Sequence, residues 1–155
     1  MIRLAAPGDI IVGSDPKDVL VAYGLGSCVA LVVYVKNACL GVMAHIVLPG
    51  SCAKQNMPHA RYSDNAIDSV VGILAQHEYG LKHASVRLVG GAKTLPGLGI
   101  DVGAQNVKAV TRALHSLGAC AVAGDTGGYR SRTAELVLSS GMLRVYSSGA
   151  PTKFL

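Results

Sequence analysis

The sequence predicts an α+β fold: a sandwich of mainly antiparallel β-sheets with two main helices packed on the outside. Apolar runs of strand length outnumber helical patterns, and turn signals separate successive runs, so hairpins dominate. Two stretches carry apolar residues at helical spacing over enough length to cover a sheet. At 155 residues, with no linker, repeat or low-complexity tract, one domain spanning residues 1–155 is expected.

Residues 9–13 and 19–23 read as short strands around the turn Ser14-Asp15-Pro16-Lys17. Residues 29–35 and 40–48 form two longer apolar runs divided by the polar break Lys36-Asn37, which reads as a β-hairpin. Residues 49–58 are loop-like, opened by Pro49-Gly50-Ser51 and closed by Met57-Pro58-His59, and leave the second hairpin strand where they can border a pocket. Ser63 reads as a helix N-cap with Asp64 in the first turn. Ile67, Val70, Val71 and Leu74 form that helix's apolar face, and Gly80 its stop. A strand over 85–89 runs into Gly90-Gly91, and residues 93–99, with Pro96, Gly97 and Gly99, read as a loop. The second helix is expected over 105–117, with Val107, Val110, Leu114 and Leu117 on one face. A short buried strand over 119–123, a turn at Asp125-Thr126-Gly127-Gly128, and a hairpin of strands 133–138 and 142–147 complete the chain.

Composition excludes several function classes. Half the residues are apolar, which argues against disorder. The net charge is +5, but the fourteen Lys and Arg are scattered from Arg3 to Lys153, and only Arg130 and Arg132 stand close together. A nucleic-acid surface needs basic clusters with interleaved aromatics, so no nucleic-acid partner is expected. An acidic protein partner is compatible with the charge. Residues 1–6 are too short for a signal peptide, and Pro7-Gly8-Asp9 breaks them. No window approaches the ~18 apolar residues of a membrane-spanning helix, so no membrane insertion is expected. Cys28, Cys39, Cys52 and Cys120 show no tight paired spacing, which favours free thiols in a cytoplasmic protein.

The chemistry concentrates at Gly24-Leu25-Gly26-Ser27-Cys28, where a turn enters the first hairpin strand. An isolated cysteine is usually a small buried hydrophobe, and an isolated strand histidine is often a core residue bonded to backbone. The setting points further. Gly24 and Gly26 permit unusual backbone conformations and close approach of a substrate, and N–H groups at Ser27 and Cys28 can converge on an oxyanion. A nucleophilic thiol also needs a base to keep it as thiolate, and the hairpin offers His45. A two-residue turn at Lys36-Asn37 sets Cys28 directly opposite His45; at Asn37-Ala38 the two become diagonal neighbours on one face. A three-residue turn puts them on opposite faces. A metal site built from His45, Cys52 and His59 with Cys28 is the chemical rival, but its spacing matches no zinc knuckle, so neither metal nor cofactor is expected. Gly90-Gly91-Ala92-Lys93-Thr94 lacks the spacing of a phosphate-binding loop and reads as a turn. Asp125 before Gly127-Gly128 reads as a turn residue that can also border the pocket.

Gly24-Leu25-Gly26-Ser27-Cys28-Val29 followed by Ala44-His45-Ile46-Val47-Leu48-Pro49 resembles the CheD family of chemoreceptor glutamine deamidases. Further similar segments are Arg61-Tyr62-Ser63-Asp64-Asn65-Ala66, Val89-Gly90-Gly91-Ala92, Val102-Gly103 with Asn106, and Asp125-Thr126-Gly127-Gly128, so that the resemblance spans about residues 9–149. It implies a small α/β sandwich with a thiol site like that of certain deamidating bacterial toxins. It implies Cys28 as nucleophile and His45 as base; the glycine turn itself places Gly26 and Ser27 at the expected oxyanion pocket. The implied reaction hydrolyses receptor glutamine amides to glutamate in bacterial chemotaxis, and the implied partners are methyl-accepting receptors and a CheC-type phosphatase. Ala22 stands where the family has a threonine that assists the histidine, so a backbone carbonyl, Tyr23 or Ser27 must orient His45 instead, or activity is reduced. The residue before Arg132 is Ser131, where the family more often has glycine. Ala22 also opens an alternative, a catalytically weakened binding protein that docks on receptors or on the phosphatase. The same thiol chemistry would serve hydrolysis of receptor methyl esters.

Overall fold

In the computed structural model, which describes residues 1–95, 97 and 99–155, the chain alternates strands and two covering helices. The elements in order are β1 (Ile2–Ala5), β2 (Ile10–Gly13), β3 (Val19–Leu25), β4 (Val29–Val35), β5 (Leu40–Ile46) and α1 (Ser63–Gln76). They continue as β6 (Ser85–Gly90), α2 (Val102–Ser116), β7 (Ala123–Thr126), β8 (Arg132–Val137), β9 (Met142–Tyr146) and β10 (Lys153–Phe154). Two five-stranded sheets result, one in the order β1-β3-β8-β9-β10 and the other β2-β5-β4-β6-β7. Antiparallel pairing prevails, as the run of hairpin signals predicts; the pairs β1–β3 and β6–β7 are parallel.

β4 explains the layering. All seven of its residues are buried, and alternate side chains enter two different cores. Val29, Leu31, Val33 and Val35 face the helices, meeting Ile67, Val70 and Leu74 of α1 and Val110 and Leu114 of α2. Ala30, Val32 and Tyr34 face the other sheet, meeting Leu20, Leu136 and Leu143. A strand sandwiched this way is apolar throughout, which is why it reads as an unbroken run and not as an alternation.

Several elements differ from the sequence expectation for identifiable reasons. Ser63 is the first helical residue and Tyr62 the N-cap; the buried Ser63 hydroxyl instead receives a hydrogen bond from Gly50 N–H. α1 ends at Gln76, ahead of Gly80: beyond the cap at His77, Glu78 adopts a left-handed conformation (φ 65°) and Tyr79 N–H closes on Leu74 C=O. α2 begins at Val102 because Asp101 caps it, its carboxylate accepting the Ala104 N–H at 2.9 Å. The predicted buried strand over 119–123 is instead a connection with Val122 68% exposed, and strand pairing starts at Ala123 on the sheet edge. The turn expected at 125–128 is confined to its end, since Asp125 and Thr126 belong to β7. β1 and β10, short strands at the edges of one sheet, have too few residues to show a period. The loop predicted over 93–99 includes Pro96 and Leu98, which lie outside the described residues.

Asp125 ties the two sheets together. Its carboxylate meets Arg132 at 3.0 Å and Lys153 at 2.7 Å, linking β7 of one sheet to β8 and β10 of the other. Burial pushes its pKa up, but the bonds from Arg132 and Lys153 outweigh that, and the net shift is downward. A lowered carboxylate pKa contributes stability that is complete above the unfolded value and lost as pH falls through the folded one. Asp125→Asn is therefore expected to cost about 2 kcal/mol at pH 7, with the gap to the parent closing below about pH 4; thermal melts across pH 3–7 measure it. At the end of α1, exposed Glu78→Gly relieves the left-handed strain, and a gain of about 1 kcal/mol in denaturant unfolding is expected.

Candidate active site

The β4–β5 hairpin sets the geometry. Val35 pairs with Leu40 across a 3-10 turn of Lys36–Ala38, closed by Cys39 at φ 49°. His45 lies opposite Ala30. Of the registers compatible with the sequence, the chain adopts the one that makes Cys28 and His45 diagonal neighbours. Both belong to the side facing the other sheet: Cys28 packs against that inter-sheet core, and His45 reaches β1 through it. Diagonal partners are about 7–8 Å apart along the backbone, within reach of an imidazole. Cys28 is half-buried and borders solvent, whereas His45 is fully buried.

A backbone carbonyl orients the imidazole. His45 Nδ1 lies 3.0 Å from the carbonyl oxygen of Ala5. A carbonyl can accept but not donate, so Nδ1 carries the proton and Nε2 is left with its lone pair. Nε2 has no hydrogen-bond partner among the described residues. Ala22, buried on β3, pairs with Ala5 itself, so the alanine that lacks a side-chain donor sits beside the backbone that supplies the contact. Tyr23, the other side-chain candidate from that strand, points outward and is 49% exposed.

Burial acts on both members of the pair. It pushes the Cys28 thiol above its ordinary pKa, opposed by its own backbone N–H. It pushes His45 below the ordinary imidazole value, opposed by the Ala5 bond and the Asp9 charge. Both shifts favour the uncharged forms, a thiol on Cys28 and an imidazole on His45, over the standing thiolate that a nearby base suggests in the sequence.

Three segments hold the Cys28 loop. Gly91 N–H donates to Cys28 C=O at 2.8 Å, and Ala92 N–H to Gly26 C=O at 2.8 Å. Gly90 has φ 111°, and a Cβ there would collide with the Cys28 carbonyl, so the Gly90-Gly91 turn is a cradle for the cysteine loop. Gly26 packs against Thr94, leaving no room for a larger residue without displacing that side chain. The third hold is Asn106, fully buried on α2, whose Nδ2 donates to both Ser27 C=O and Val47 C=O at 2.9 Å. One carboxamide thus ties the residue before Cys28 to the strand end just beyond His45. In a planar trans peptide the Cys28 N–H points opposite to the Ser27 C=O, so Asn106 also fixes the direction of that donor. Neither the Ser27 nor the Cys28 N–H has a backbone acceptor among the described residues, as an oxyanion site requires.

Asn106 is the site residue whose structural part residue-level reading missed. The available signal was an asparagine on the apolar stripe of a helix, beside Val107 and Val110, where an amide must find buried partners. The loop after His45 is tied to α1. Cys52 bonds through its backbone to Asn65 of α1, and Cys52 and His59 line a separate cleft. His45, Cys52 and His59 therefore do not come together, and no group of three potential metal ligands forms among the described residues.

Asn106→Ala is expected to cost about 2 kcal/mol by leaving two buried carbonyls unpaired. Hydrogen exchange should accelerate at the Gly91 and Ala92 amides while the amides of α1 keep their protection; equal protection throughout would contradict the clamp.

Comparison with known proteins shows the family. A family model described as CheD chemotactic sensory transduction matches residues 47–147, beginning just after His45. The "Chemoreceptor glutamine deamidase CheD" of Thermotoga maritima is 35% identical over 149 residues, covering 96% of this chain and 94% of that protein. A Symbiobacterium thermophilum protein named "Probable chemoreceptor glutamine deamidase CheD" is 34% identical, covering 92% of this chain and 90% of its own length. With full-length similarity of this kind on both chains, the protein belongs to the CheD family.

Proposed function

We propose that the protein hydrolyses the side-chain amide of specific glutamines in methyl-accepting chemoreceptors, giving glutamate and ammonia, with Cys28 as nucleophile and His45 as base. The observation that carries this reading is the His45 imidazole, held by Ala5 as the Nδ1–H tautomer with Nε2 free, on the same face as the Cys28 thiol. Membership of a family whose curated relatives are named for this activity supports the substrate.

In the proposed cycle, the Cys28 sulfur attacks the carboxamide carbon as its proton passes to His45 Nε2. A C–S bond forms, and the carbonyl electrons move onto oxygen, where the Ser27 and Cys28 N–H groups stabilise them. Collapse breaks the C–N bond, and the imidazolium returns its proton to the leaving ammonia. Water then attacks the thioester, giving a proton to Nε2; the C–S bond breaks, and the sulfur recovers its proton. The cycle starts from the neutral pair, so its transition state creates both charges together and has to be stabilised by the donors around it. No metal or cofactor enters the cycle. Action on the cytoplasmic part of a receptor would place the protein in the cytoplasm, and no helix among the described residues is long and apolar enough to cross a membrane. The family resemblance extends the proposal to regulation by a CheC-type phosphatase. The Ala5 contact weakens the case for a purely binding protein, because the ring keeps an orienting partner despite Ala22.

Incubation with a chemoreceptor cytoplasmic domain should produce the +1 Da Gln-to-Glu change in mass spectra. Cys28→Ala and His45→Ala should each reduce it by a factor of at least about a thousand, as expected for loss of a nucleophile or its base. Activity persisting in Cys28→Ala would remove the nucleophile assignment.

A further inference from the structure

Beside the Cys28 cradle lies a cleft of about 650 Å³ that the hydrolytic cycle does not use. One wall is a face of α2 running through Ala104, Val107, Lys108, Thr111, Arg112 and His115. These positions recur at helical spacing, so the wall is a continuous stripe about 16 Å long. The opposite wall is formed by Gly91 and Lys93 with the Thr126–Gly128 turn, and this wall is bonded directly to the cysteine loop. Gly91 N–H holds Cys28 C=O, Gly127 N–H holds Gly90 C=O, and Lys93 N–H holds Gly128 C=O.

Cations outnumber carboxylates around the cleft. Lys93, Lys108 and Arg112 border it and form no ion pair among the described residues. Asp101 is the one carboxylate on the lining, and one of its oxygens accepts the Ala104 N–H. Arg112 also borders a neighbouring groove with Asp64 and Asp68, without an ion pair to either. An apolar strip with cations along its rims fits a peptide segment that carries carboxylates beside apolar side chains. No Phe, Tyr or Trp among the described residues lines the cleft, so a nucleic-acid strand would find only His115 to stack on.

We infer that the α2 cleft is the docking track for an acidic segment of the protein substrate, which it grips beside the glutamine presented to Cys28. This deepens the deamidase reading and rests on it for the identity of the occupant. Docking through this track gives the enzyme a means of choosing among glutamines that are chemically alike, because the reacting amide itself carries no distinguishing charge. The same contact is made to a wall that supports the cysteine loop, so occupancy and the positioning of Cys28 share one segment, 90–93.

The test is binding of a labelled chemoreceptor cytoplasmic domain, followed by fluorescence anisotropy, with deamidation of that domain measured in parallel. Lys108→Glu/Arg112→Glu should weaken binding by about tenfold or more, and added salt should weaken the parent more than the variant. Lys93→Glu, on the opposite wall, should act in the same direction. Lys36→Glu, at the exposed hairpin turn, should leave binding unchanged. Unchanged affinity in both cleft variants, equal loss with Lys36→Glu, or absence of binding by the parent would each overturn the docking track. Deamidation by the parent with unaltered binding in the variants would leave the enzyme and remove the track. Charge-dependent binding at the cleft without any deamidation would do the reverse.

Discussion

The register between β4 and β5 is the constraint on which the site depends. Every residue of both strands is buried, and each strand divides its side chains between a helix-facing core and an inter-sheet core. A slip of one residue in either strand would exchange the two sets, driving Leu31 and Val33 toward the space filled by Ala30 and Val32. Close packing on both faces therefore fixes the pairing far more strictly than the short turn at 36–39 could. With Ala30 opposite His45, Cys28 falls on the imidazole's face as a by-product of core packing.

Polar contacts then refine what packing has positioned. Ala5 selects the tautomer of His45, and Asn106 fixes the peptide between Ser27 and Cys28. Both are placed from outside the hairpin, one from the edge strand β1 and one from α2. Neither supplies a charge, and burial shifts both Cys28 and His45 toward their uncharged forms.

The sandwich and the hairpin that carries His45 were legible because their signals are local: apolar runs of strand length, a turn near Asn37, and helical spacing in α1 and α2; which of the open registers the hairpin takes was not. What was not legible depends on distant parts of the chain. The parallel edge pairs β1–β3 and β6–β7 involve strands of four to seven residues, some too short to show a period, whose partners lie across turns or helices. Asp125 looked like a turn residue because nothing nearby in sequence reveals Lys153 as its partner. Among the groups that could replace a side chain at Ala22, the one present is a backbone carbonyl, and no residue type announces that it belongs to Ala5. Gly90-Gly91 was recognisable as a turn, but not as the support for Cys28, since that needs the strand register first.

The central claim is that the free nitrogen of a buried, carbonyl-oriented imidazole faces the thiol. Long-range 1H–15N spectra of the His45 ring test it most directly. At pH 7 the account predicts a neutral ring protonated at Nδ1, with the Nε2 resonance displaced when Cys28 is alkylated. A ring protonated at Nε2, or one whose nitrogen signals ignore alkylation of Cys28, would contradict it.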